Sequence, residues 1–550
     1  MNPIEKNNLK IEGVGVGSGK AGGTLYFFSS KKKQPKAFRT PSGVTAEKER
    51  YRTAKEEAIK QTKILCETAE TRVGKQEAEI FQIHLMLLED EDFSDSILSA
   101  IESGLCAEEA IGTATAQYKQ ILAALGDPYL SARAADLNDV GDRLTDALTG
   151  SSDVAPFPDH PYILVADDLT PSQTLTLPKE HILGFVTFGG TPSSHTSILA
   201  RAMGIPALVG VGAIRAEFDG SFAILDAGAG TLLLSPDSET RTAFLQMQER
   251  ENTLAKEHER YLRTLINKPA VTRSGRRILI YANAGNESEV TSALYNGADG
   301  IGLLRSEFLY FSYDRYPEEE ELFEAYDALA KKMQGKRLII RTLDVGADKQ
   351  IGYFDLPREE NPALGFRAVR LCLAREEVFC NQLRAILRAS ARGAISVMIP
   401  MIVSLDEVLA CKRLIQRCKE ELLSRGQAFD PKIEIGIMIE TPAAAIMSEE
   451  LAAEVDFFSV GTNDLTQYTL AADRQNPLLS RLVERNSEPV LRLVEHAARA
   501  IHAHGGWIGV CGEMAADLRL VSRFVEMGVD ELSVSPPYLL GVRERVIECK

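Results

Sequence analysis

The second half of the chain alternates short apolar runs with longer helical stretches, and this pattern constrains the fold more than any other feature. Each run is short enough for a strand, and each is followed by apolar residues at helical spacing. Eight strands alternating with helices are typical of a (β/α)8 barrel, which we predict for residues 269–550. The predicted strands are 278–284, 300–304, 337–342, 365–369, 395–401, 433–439, 457–460 and 507–510.

Charged or reactive side chains follow most of these predicted strands. Barrel enzymes build their sites at the carboxyl ends of the strands, so we expect these side chains at one mouth of the barrel. Taken singly, each is as well explained by a salt bridge at a strand end, but the convergence of so many favours a functional site. They are Arg305, Arg341 with Asp344, Arg367, Glu440, Asn463 with Asp464, and Cys511, with Arg474 in the following loop.

The residue types in this set indicate the chemistry. Several arginines predict a small anion with more than one charged group, because a guanidinium can bind phosphate or carboxylate through two donors. Glu440 and Asp464 offer hard oxygen ligands suited to Mg²⁺ that also binds substrate oxygens. Cys511 is either a buried structural thiol, the commoner role, or an acid that protonates carbon. An anion with phosphate and carboxylate groups that is protonated at carbon fits phosphoenolpyruvate becoming pyruvate.

One histidine, His195, stands where a loop of small residues turns into an apolar helix. Hydroxyls at such a junction cap the free N–H groups of the first turn, and the helix start favours an anion. A histidine there is suited to carry a phosphoryl group on a ring nitrogen. A lone histidine is more often structural, so the functional interpretation depends on the barrel residues. The neighbouring hydroxyls belong to Ser193, Ser194, Thr196 and Ser197.

The first half of the chain predicts an α/β domain that is interrupted by a helical bundle. Short strands are expected within 1–30, and further strands alternate with short helices on both sides of His195. Between them the chain is helical from Thr45, a predicted N-cap with Glu47 in the first turn, to about Gly150. The later strands are predicted at 162–166, 182–187, 207–211 and 222–225. The expected domain limits are 1–35 with 145–235 for the α/β domain, 36–144 for the bundle and 236–268 for a charged linker helix.

Composition narrows the class of protein. A chain of 550 residues is too long for one core and predicts three to four domains. The formal net charge of −16 argues against nucleic-acid binding. No apolar run is long enough to cross a bilayer, and the first residues do not form a leader peptide. The eight cysteines include no CxxC pair, which favours reduced thiols in a cytoplasmic protein.

Six motifs together resemble those of the phosphoenolpyruvate–protein phosphotransferases, the enzymes I of the bacterial sugar phosphotransferase system. The likeness runs almost from end to end of the chain, and its motifs are specific. They are GIGLLRSEFLY (300–310), RTLDVGADK (341–349), ENPALGFR (360–367), IETPAA (439–444), GTNDLTQY (461–468) and CGEMA (511–515).

This resemblance implies a role for each matching residue. His195 would take the phosphoryl group, Cys511 would protonate the enolate, and Glu440 with Asp464 would bind Mg²⁺. The side chains implied to hold phosphoenolpyruvate are Arg305, Arg341, Asn463, Asp464 and Arg474. The phosphocarrier protein HPr would be the acceptor, and an acidic rim suits a partner with a basic face. The residues implied to receive HPr are Phe81, His84, Asp90 and Asp92.

The resemblance further implies a homodimer formed through the barrel and a large movement of the α/β domain. Because His195 and the barrel lie in different predicted domains, we expect the α/β domain to swivel between two docking partners. The charged helix within 237–267 is the expected hinge region.

Two positions depart from the family pattern, and related functions remain as alternatives. Pro192 stands where the loop usually has arginine, and Ser306 where the family usually has threonine. Phosphoenolpyruvate synthases and pyruvate phosphate dikinases share both domains but need an ATP-grasp domain, for which no length is spare. A signalling paralogue is the other alternative, although its nitrogen-branch relatives carry an extra N-terminal domain. An inactive scaffold is disfavoured, since the matched charged residues are all present.

Overall fold

A computed structural model describes residues 8–28, 41–72, 75–124, 128–150, 157–167, 169, 173, 177–191, 194–346, 352–357, 359–474, 476, 479, 482–483 and 487–550. The description is confined to the backbone at 67–72, 75–80, 121–124, 128–136, 138, 195, 198 and 202. The chain divides into two compact units, Met1–Asn252 and Thr253–Lys550. None of the described helices is long and apolar enough to cross a membrane.

The first unit is built on a sheet of eight strands. They are β1 (Leu9–Glu12), β2 (Val14–Val16), β3 (Lys20–Phe27), β4 (Tyr162–Ala166), β5 (Ile182–Thr187), β6 (Ala207–Val209), β7 (Phe222–Asp226) and β8 (Thr231–Leu234). Their order is β1-β8-β7-β3-β4-β5-β6-β2, and the central run from β3 to β6 is parallel. All five residues of β4 are buried, and alternate ones enter separate apolar clusters. Both faces of the sheet are therefore covered, as is usual for parallel strands.

Five helices interrupt this sheet in the chain between β3 and β4, which are hydrogen-bonded neighbours. The prediction of a helical bundle inserted into an α/β fold is therefore confirmed. Its core includes Tyr51, Phe93, Ile97 and Leu144, all nearly inaccessible to solvent. The helices are α1 (Val44–Arg72), α2 (Lys75–Glu89), α3 (Glu91–Glu102), α4 (Ala107–Ala124) and α5 (Pro128–Thr149).

The start of α1 differs slightly from the sequence prediction. The helix begins at Val44, so Thr45 lies in its first turn and is not its N-cap. Glu47 is buried, and its carboxylate accepts hydrogen bonds from the backbone N–H groups of Ser42 and Ala107. Although burial raises the pKa of Glu47, these bonds and Arg50 lower it to about 2. Glu47 thus joins the starts of α1 and α4.

Two further helices complete this part of the chain. Helix α6 (His195–Met203) starts at the predicted junction, and α7 (Ser238–Arg263) is the predicted charged helix. The side chain of Asp237 accepts a hydrogen bond from the N–H of Thr240 at 2.7 Å and so caps α7. The division between the two units falls within α7.

The second unit is a closed barrel of parallel strands. Strand β10 pairs with both β11 and β17, which closes the circle, and a short strand β9 (Ala270–Val271) pairs antiparallel with β10. The barrel strands are β10 (Arg277–Ala284), β11 (Gly300–Arg305), β12 (Leu338–Arg341), β13 (Ile395–Ile399), β14 (Glu434–Ile439), β15 (Phe457–Val460), β16 (Trp507–Val510) and β17 (Glu531–Val534). The predicted (β/α)8 barrel is confirmed.

Helices surround these strands. The helices of the second unit that follow α7 are α8 (Glu287–Tyr295), α9 (Glu307–Tyr310), α10 (Glu319–Lys332), α11 (Val369–Ala374), α12 (Glu376–Ser390), α13 (Leu405–Ser424), α14 (Pro442–Ile446), α15 (Ser448–Ala452), α16 (Thr462–Leu470), α17 (Glu488–Ala503), α18 (Leu518–Met527) and α19 (Leu539–Glu548).

One predicted barrel strand is wrong, and another was missed. Residues 365–369 form no strand, because they connect a short 3-10 turn at Pro362–Leu364 to α11. The eighth strand is β17, whose sequence Glu-Leu-Ser-Val lacks the apolar run expected of a buried strand. Its Glu531 is fully buried, and burial raises the pKa of this carboxyl well above its usual value. The side chain fits because Gly509 has none: a Cβ there would lie 1.8 Å from the Glu531 Oε2.

The barrel interior contains the only tryptophan of the chain. Trp507 stacks on Phe457 with ring centroids 4.6 Å apart, and the guanidinium of Arg337 lies 5.1 Å from its ring centroid. The Phe457 ring is fully buried in a cluster that also contains Tyr281, Met438 and Cys511. The fluorescence of Trp507 therefore reports on the integrity of the barrel.

Arg543 of α19 supplies the first testable prediction. Its guanidinium is fully buried and donates to the carbonyls of Gly297 (2.6 Å) and Lys268 and to the Asp299 carboxylate (3.2 Å). Arg543→Met should lower the free energy of unfolding of the barrel by about 2–4 kcal/mol, because these buried acceptors lose their donor. Trp507 fluorescence in a urea titration measures the effect.

The matched control for this experiment is Arg545→Met, since the Arg545 side chain is 39% exposed. It should change the stability by less than about 1 kcal/mol. Equal urea midpoints for the two variants would contradict the prediction.

Candidate active site

A cavity of about 740 Å³ opens at the carboxyl ends of the barrel strands. Arg305 and Arg341 are the last residues of β11 and β12, whereas Glu440 and Cys511 come directly after β14 and β16. The described part of the barrel thus brings together at one cavity all the site residues predicted there. They are Arg305, Arg341, Glu440, Asn463, Asp464, Arg474 and Cys511.

A network of buried charged side chains lines one side of the cavity. Arg341 Nη1 lies 2.9 Å from Asp344 Oδ2, and Arg341 is also hydrogen bonded to Glu307. Arg367 Nη2 donates to the other Asp344 oxygen at 2.8 Å. Burial lowers the pKa of both arginines, but the surrounding carboxylates outweigh it and raise the pKa above its usual value. Both guanidiniums are therefore fixed in place and charged.

Two other arginines at the cavity are held more loosely. Arg305 Nη2 lies 3.5 Å from Glu289 Oε2, its guanidinium lies 5.0 Å from the centroid of the Phe308 ring, and its side chain is 39% exposed. Arg474 Nη1 is 3.6 Å from Asp464 Oδ1. Pairs at such distances with a half-exposed guanidinium are weak. These guanidiniums can accordingly exchange their partners for a ligand at low cost.

Glu440 is a carboxyl group in a setting that favours its neutral form. It is fully buried, its Oε1 accepts the N–H of Met401 at 2.6 Å, and Met401 has a left-handed φ of 59°. Burial, with the charges of Asp464 and Asp344, raises the pKa of Glu440 to about 8 although Arg341 and Arg367 oppose this. Buried carboxylates that repel one another fit a bound divalent cation, which would stabilise both charges.

The described residues at this position include two carboxyl groups, Glu440 and Asp464. Within the described residues, no group of three or more His, Cys, Asp or Glu side chains is arranged to hold an ion. Glu440 and Asp464 therefore fit Mg²⁺ in the manner usual for this ion, which keeps waters or substrate oxygens in its shell.

The loops after β15 and β16 are joined by reciprocal hydrogen bonds. Asn463 Nδ2 donates to Glu513 Oε1 at 3.2 Å, and the N–H of Glu513 donates to Asn463 Oδ1 at 2.8 Å. Gly512 permits this approach, because a Cβ there would lie 2.0 Å from Thr462 Oγ1. The position of Cys511 is consequently fixed from both sides.

The Cys511 thiol lies at the floor of the cavity. Its Sγ donates to the carbonyl of Val460 at 3.5 Å, and the backbone carbonyl of Cys511 accepts from Asn283 Nδ2 at 2.9 Å. Burial raises the pKa of Cys511 to about 12, with a smaller opposing effect from Ser459. The group is therefore a protonated thiol at neutral pH, the form that an acid requires.

In the first unit, His195 is the first residue of α6, and its side chain lies outside the description. Ser194 is at the N-cap, but its hydroxyl makes no capping bond and lies 3.2 Å from the Ser197 hydroxyl. Ser197 in turn donates to the carbonyl of Thr191 at 2.8 Å. These serines therefore organise the loop and not the free N–H groups of α6. Pro192 and Ser193 lie outside the described residues.

The residues expected to receive a partner protein divide into two kinds. Phe81 and His84 are 2% and 1% exposed and meet edge to face, with ring centroids 5.6 Å apart. The role of Phe81 and His84 in receiving a partner protein stays a prediction. Asp90 and Asp92 are exposed, and Asp90 caps α3 by accepting the N–H of Phe93 at 2.7 Å.

Several cavity residues were not assigned a role from the sequence. Glu307 stands two residues after β11 and was visible within the motif at 300–310, whereas Ser535 and Tyr538 follow the missed strand β17. Arg367 lines the cavity although its predicted strand does not exist, because its bond to Asp344 fixes the loop. Further lining residues of this kind include Asn283, Phe308 and Glu513.

Comparison with known proteins places the chain in a family. Family models of the phosphoenolpyruvate-utilising enzymes match three stretches: the N-terminal domain at residues 12–133, the mobile domain at 158–230 and the PEP-binding domain at 259–550. These matches, with the barrel and its cavity, define the chain as a phosphoenolpyruvate-utilising enzyme.

Curated relatives narrow the class further. The chain is 39% identical over 511 residues to the phosphoenolpyruvate-protein phosphotransferase of Geobacillus stearothermophilus, covering 92% of this chain and 88% of the relative. It is 41% identical over 504 residues to that of Haemophilus influenzae, covering 90% and 86%. A solution structure of Enzyme I (nEIt) is 32% identical in sequence. The match covers 44% of this chain and 99% of the Enzyme I (nEIt) chain, with a TM-score of 0.38. The chain belongs to the phosphoenolpyruvate-protein phosphotransferase family, a family of transferases.

The raised pKa of Glu440 supplies a prediction about stability and pH. Between pH 4.5 and about 8 the folded protein keeps a proton that the unfolded chain has released, so the stabilisation present below pH 4.5 is lost as the pH rises. In EDTA, the wild-type barrel should lose about 4 kcal/mol relative to Glu440→Gln between pH 4.5 and pH 8. Trp507 fluorescence in urea at both pH values measures this difference.

Glu449→Gln, at an exposed position in α15, is the control and should follow the wild-type pH dependence. A parallel pH dependence for wild type and Glu440→Gln would show that Glu440 is not the responsible group.

Proposed function

We propose that the chain transfers the phosphoryl group of phosphoenolpyruvate to its own His195, with release of pyruvate, and then to a histidine of HPr. This is the first step of sugar uptake by the phosphotransferase system. The observation that carries the proposal is the cavity in which four arginines, the carboxyl groups of Glu440 and Asp464, and the Cys511 thiol converge. Membership in a family whose named relatives are phosphoenolpyruvate-protein phosphotransferases supports the same reaction.

The arginines would bind the trianionic substrate. Arg341 and Arg367 are held rigidly by Asp344, so they present positive charge without any rearrangement when the ligand enters. Arg305 and Arg474 would close on the phosphate and carboxylate groups, since each can release a weakly held carboxylate. Asn463 would contribute an amide that its bonds to Glu513 already orient.

Glu440 and Asp464 would hold Mg²⁺, which when bound would neutralise negative charge on the substrate oxygens. Residues of the chain itself would carry out the transfer and protonation steps. The nitrogen of His195 attacks phosphorus while the bond from phosphorus to the enol oxygen breaks, and an enolate is left in the cavity. Cys511 then gives its proton to the terminal carbon of the enolate, and pyruvate is formed.

His195 belongs to the first unit and the cavity to the second, and the same histidine would serve both the cavity and HPr. We propose that the domain swivels between the cavity and HPr, with α7 as the connector. The exposed Asp90 and Asp92 would lie at the rim of the HPr surface, and Phe81 with His84 would support it from beneath. A homodimer formed through the barrel stays a prediction.

The direct experiment incubates the full chain with Mg²⁺ and phosphoenolpyruvate in the absence of ATP. We expect an intact mass increased by one phosphoryl group that is labile in acid and stable in base, with no such increase for His195→Ala. Pyruvate release should become catalytic only on addition of HPr. Absence of the phosphorylated species in the wild type would reject the proposal.

Cys511→Ala tests the proton donor separately. We expect pyruvate formation to slow by about 10²–10⁴-fold, the usual contribution of a positioned acid. In D₂O, with a phosphoenolpyruvate analogue that carries one methyl group on C3, the wild type should add deuterium to one face of the enolate and give one configuration at C3, whereas the variant should give both. NMR of the trapped product measures it.

Cys372→Ala is the control, because Cys372 is buried outside this cavity. It should keep both the wild-type rate and the selectivity. Unchanged facial selectivity in Cys511→Ala would remove the thiol from the proposed mechanism.

A further inference from the structure

Two cysteines meet on neighbouring helices of the barrel, away from the cavity. Cys380 lies in α12 and Cys418 in α13. The Cys418 Sγ donates to the carbonyl oxygen of Cys380 at 3.9 Å. Both residues are buried, at 3% and 0% exposed.

Arg417 covers this pair from the solvent side. Its Nη2 donates to Cys380 Sγ at 3.0 Å, and its Nη1 lies 3.0 Å from Glu376 Oε2. The Arg417 side chain is 47% exposed, so the Cys380 sulfur lies only one side chain below the surface. A guanidinium at this distance stabilises a thiolate and not a thiol.

The other charges near the pair do not cancel this effect. Arg384 adds positive charge from α12, although it also pairs with Glu319 and Glu421. The hydrogen bond from Cys418 lowers the pKa of Cys380, burial opposes it, and the two arginines lower it further. The same contact raises the pKa of Cys418, which stays protonated.

Another cysteine of α13 behaves in the opposite way. Burial raises the pKa of Cys411 to about 12, and Cys411 has no arginine donor on its sulfur within the described residues. A nucleophilic thiolate beside a protonated thiol is the arrangement found in peroxide-sensitive sites. We propose that Cys380 and Cys418 form a peroxide-reactive pair, in which Cys380 is oxidised first and Cys418 resolves it to a disulfide.

The chemistry balances with hydrogen peroxide as the oxidant. The Cys380 thiolate attacks one peroxide oxygen, the O–O bond breaks, and the departing hydroxide takes up a proton to become water, which leaves a sulfenic acid. The Cys418 sulfur then attacks the Cys380 sulfur, the S–O bond breaks, and a second water leaves. In total, two thiols lose two electrons and two protons, and one peroxide becomes two waters.

The test exposes the full folded chain to hydrogen peroxide near neutral pH and maps the thiols by alkylation and mass spectrometry. We expect a Cys380–Cys418 disulfide that dithiothreitol reverses. In Cys418→Ser, and in Cys418→Ala as a second variant, dimedone should instead trap a sulfenic acid at Cys380. Cys380→Ser should leave Cys418 unoxidised.

Arg417 provides the sharper comparison. Arg417→Gln should slow oxidation of Cys380 by tenfold or more, because the thiolate loses its donor. Arg413→Gln, an exposed arginine of the same helix, should oxidise at the wild-type rate. Trp507 fluorescence confirms that each variant is folded. Any of three results would overturn the proposal. Cys411 could oxidise as fast as Cys380, or the two arginine variants could oxidise at equal rates. The third is that Cys380 stays unmodified in both the wild type and Cys418→Ser.

Discussion

The second unit depends on the hydrogen bonding that closes its sheet. Strand β10 binds both β11 and β17, so the strand carboxyl ends form one continuous rim. Residues far apart in the chain, such as Arg305 and Cys511, reach the same cavity only because the circle is closed. Closure also buries Glu531, whose carboxyl is tolerated because burial keeps it neutral and Gly509 leaves it space.

The arginines on that rim are of two kinds, one rigidly held and the other loosely held. Arg341 and Arg367 are buried and held by carboxylates, whereas Arg305 and Arg474 are half exposed with weak partners. The first set provides positive charge prepared before a ligand arrives, and the second can follow the ligand. Cys511, held protonated by its burial, adds a neutral group to a strongly charged cavity.

Much of this was predictable because a parallel barrel ties sequence position to spatial position: a reactive side chain that follows a strand lies at one mouth. Prediction failed where local sequence and tertiary environment disagree. Glu531 opens a strand that no hydropathy pattern marks, and the apolar run at 365–369 is a loop held by the bond from Arg367 to Asp344. The sequence also does not show that Phe81 and His84 are buried, since helical spacing alone does not say which helix face lies inside, and their part in receiving a partner stays a prediction.

Asp344 shows how the charged residues of the site limit the substitutions that the chain can tolerate. It is the shared counter-ion of Arg341 and Arg367, and removing it would leave two buried positive charges with too little compensation. Its mutational tolerance is therefore already limited by the two arginines that it neutralises. A substitution scan would score Asp344 as indispensable even though its role is to hold two other side chains still.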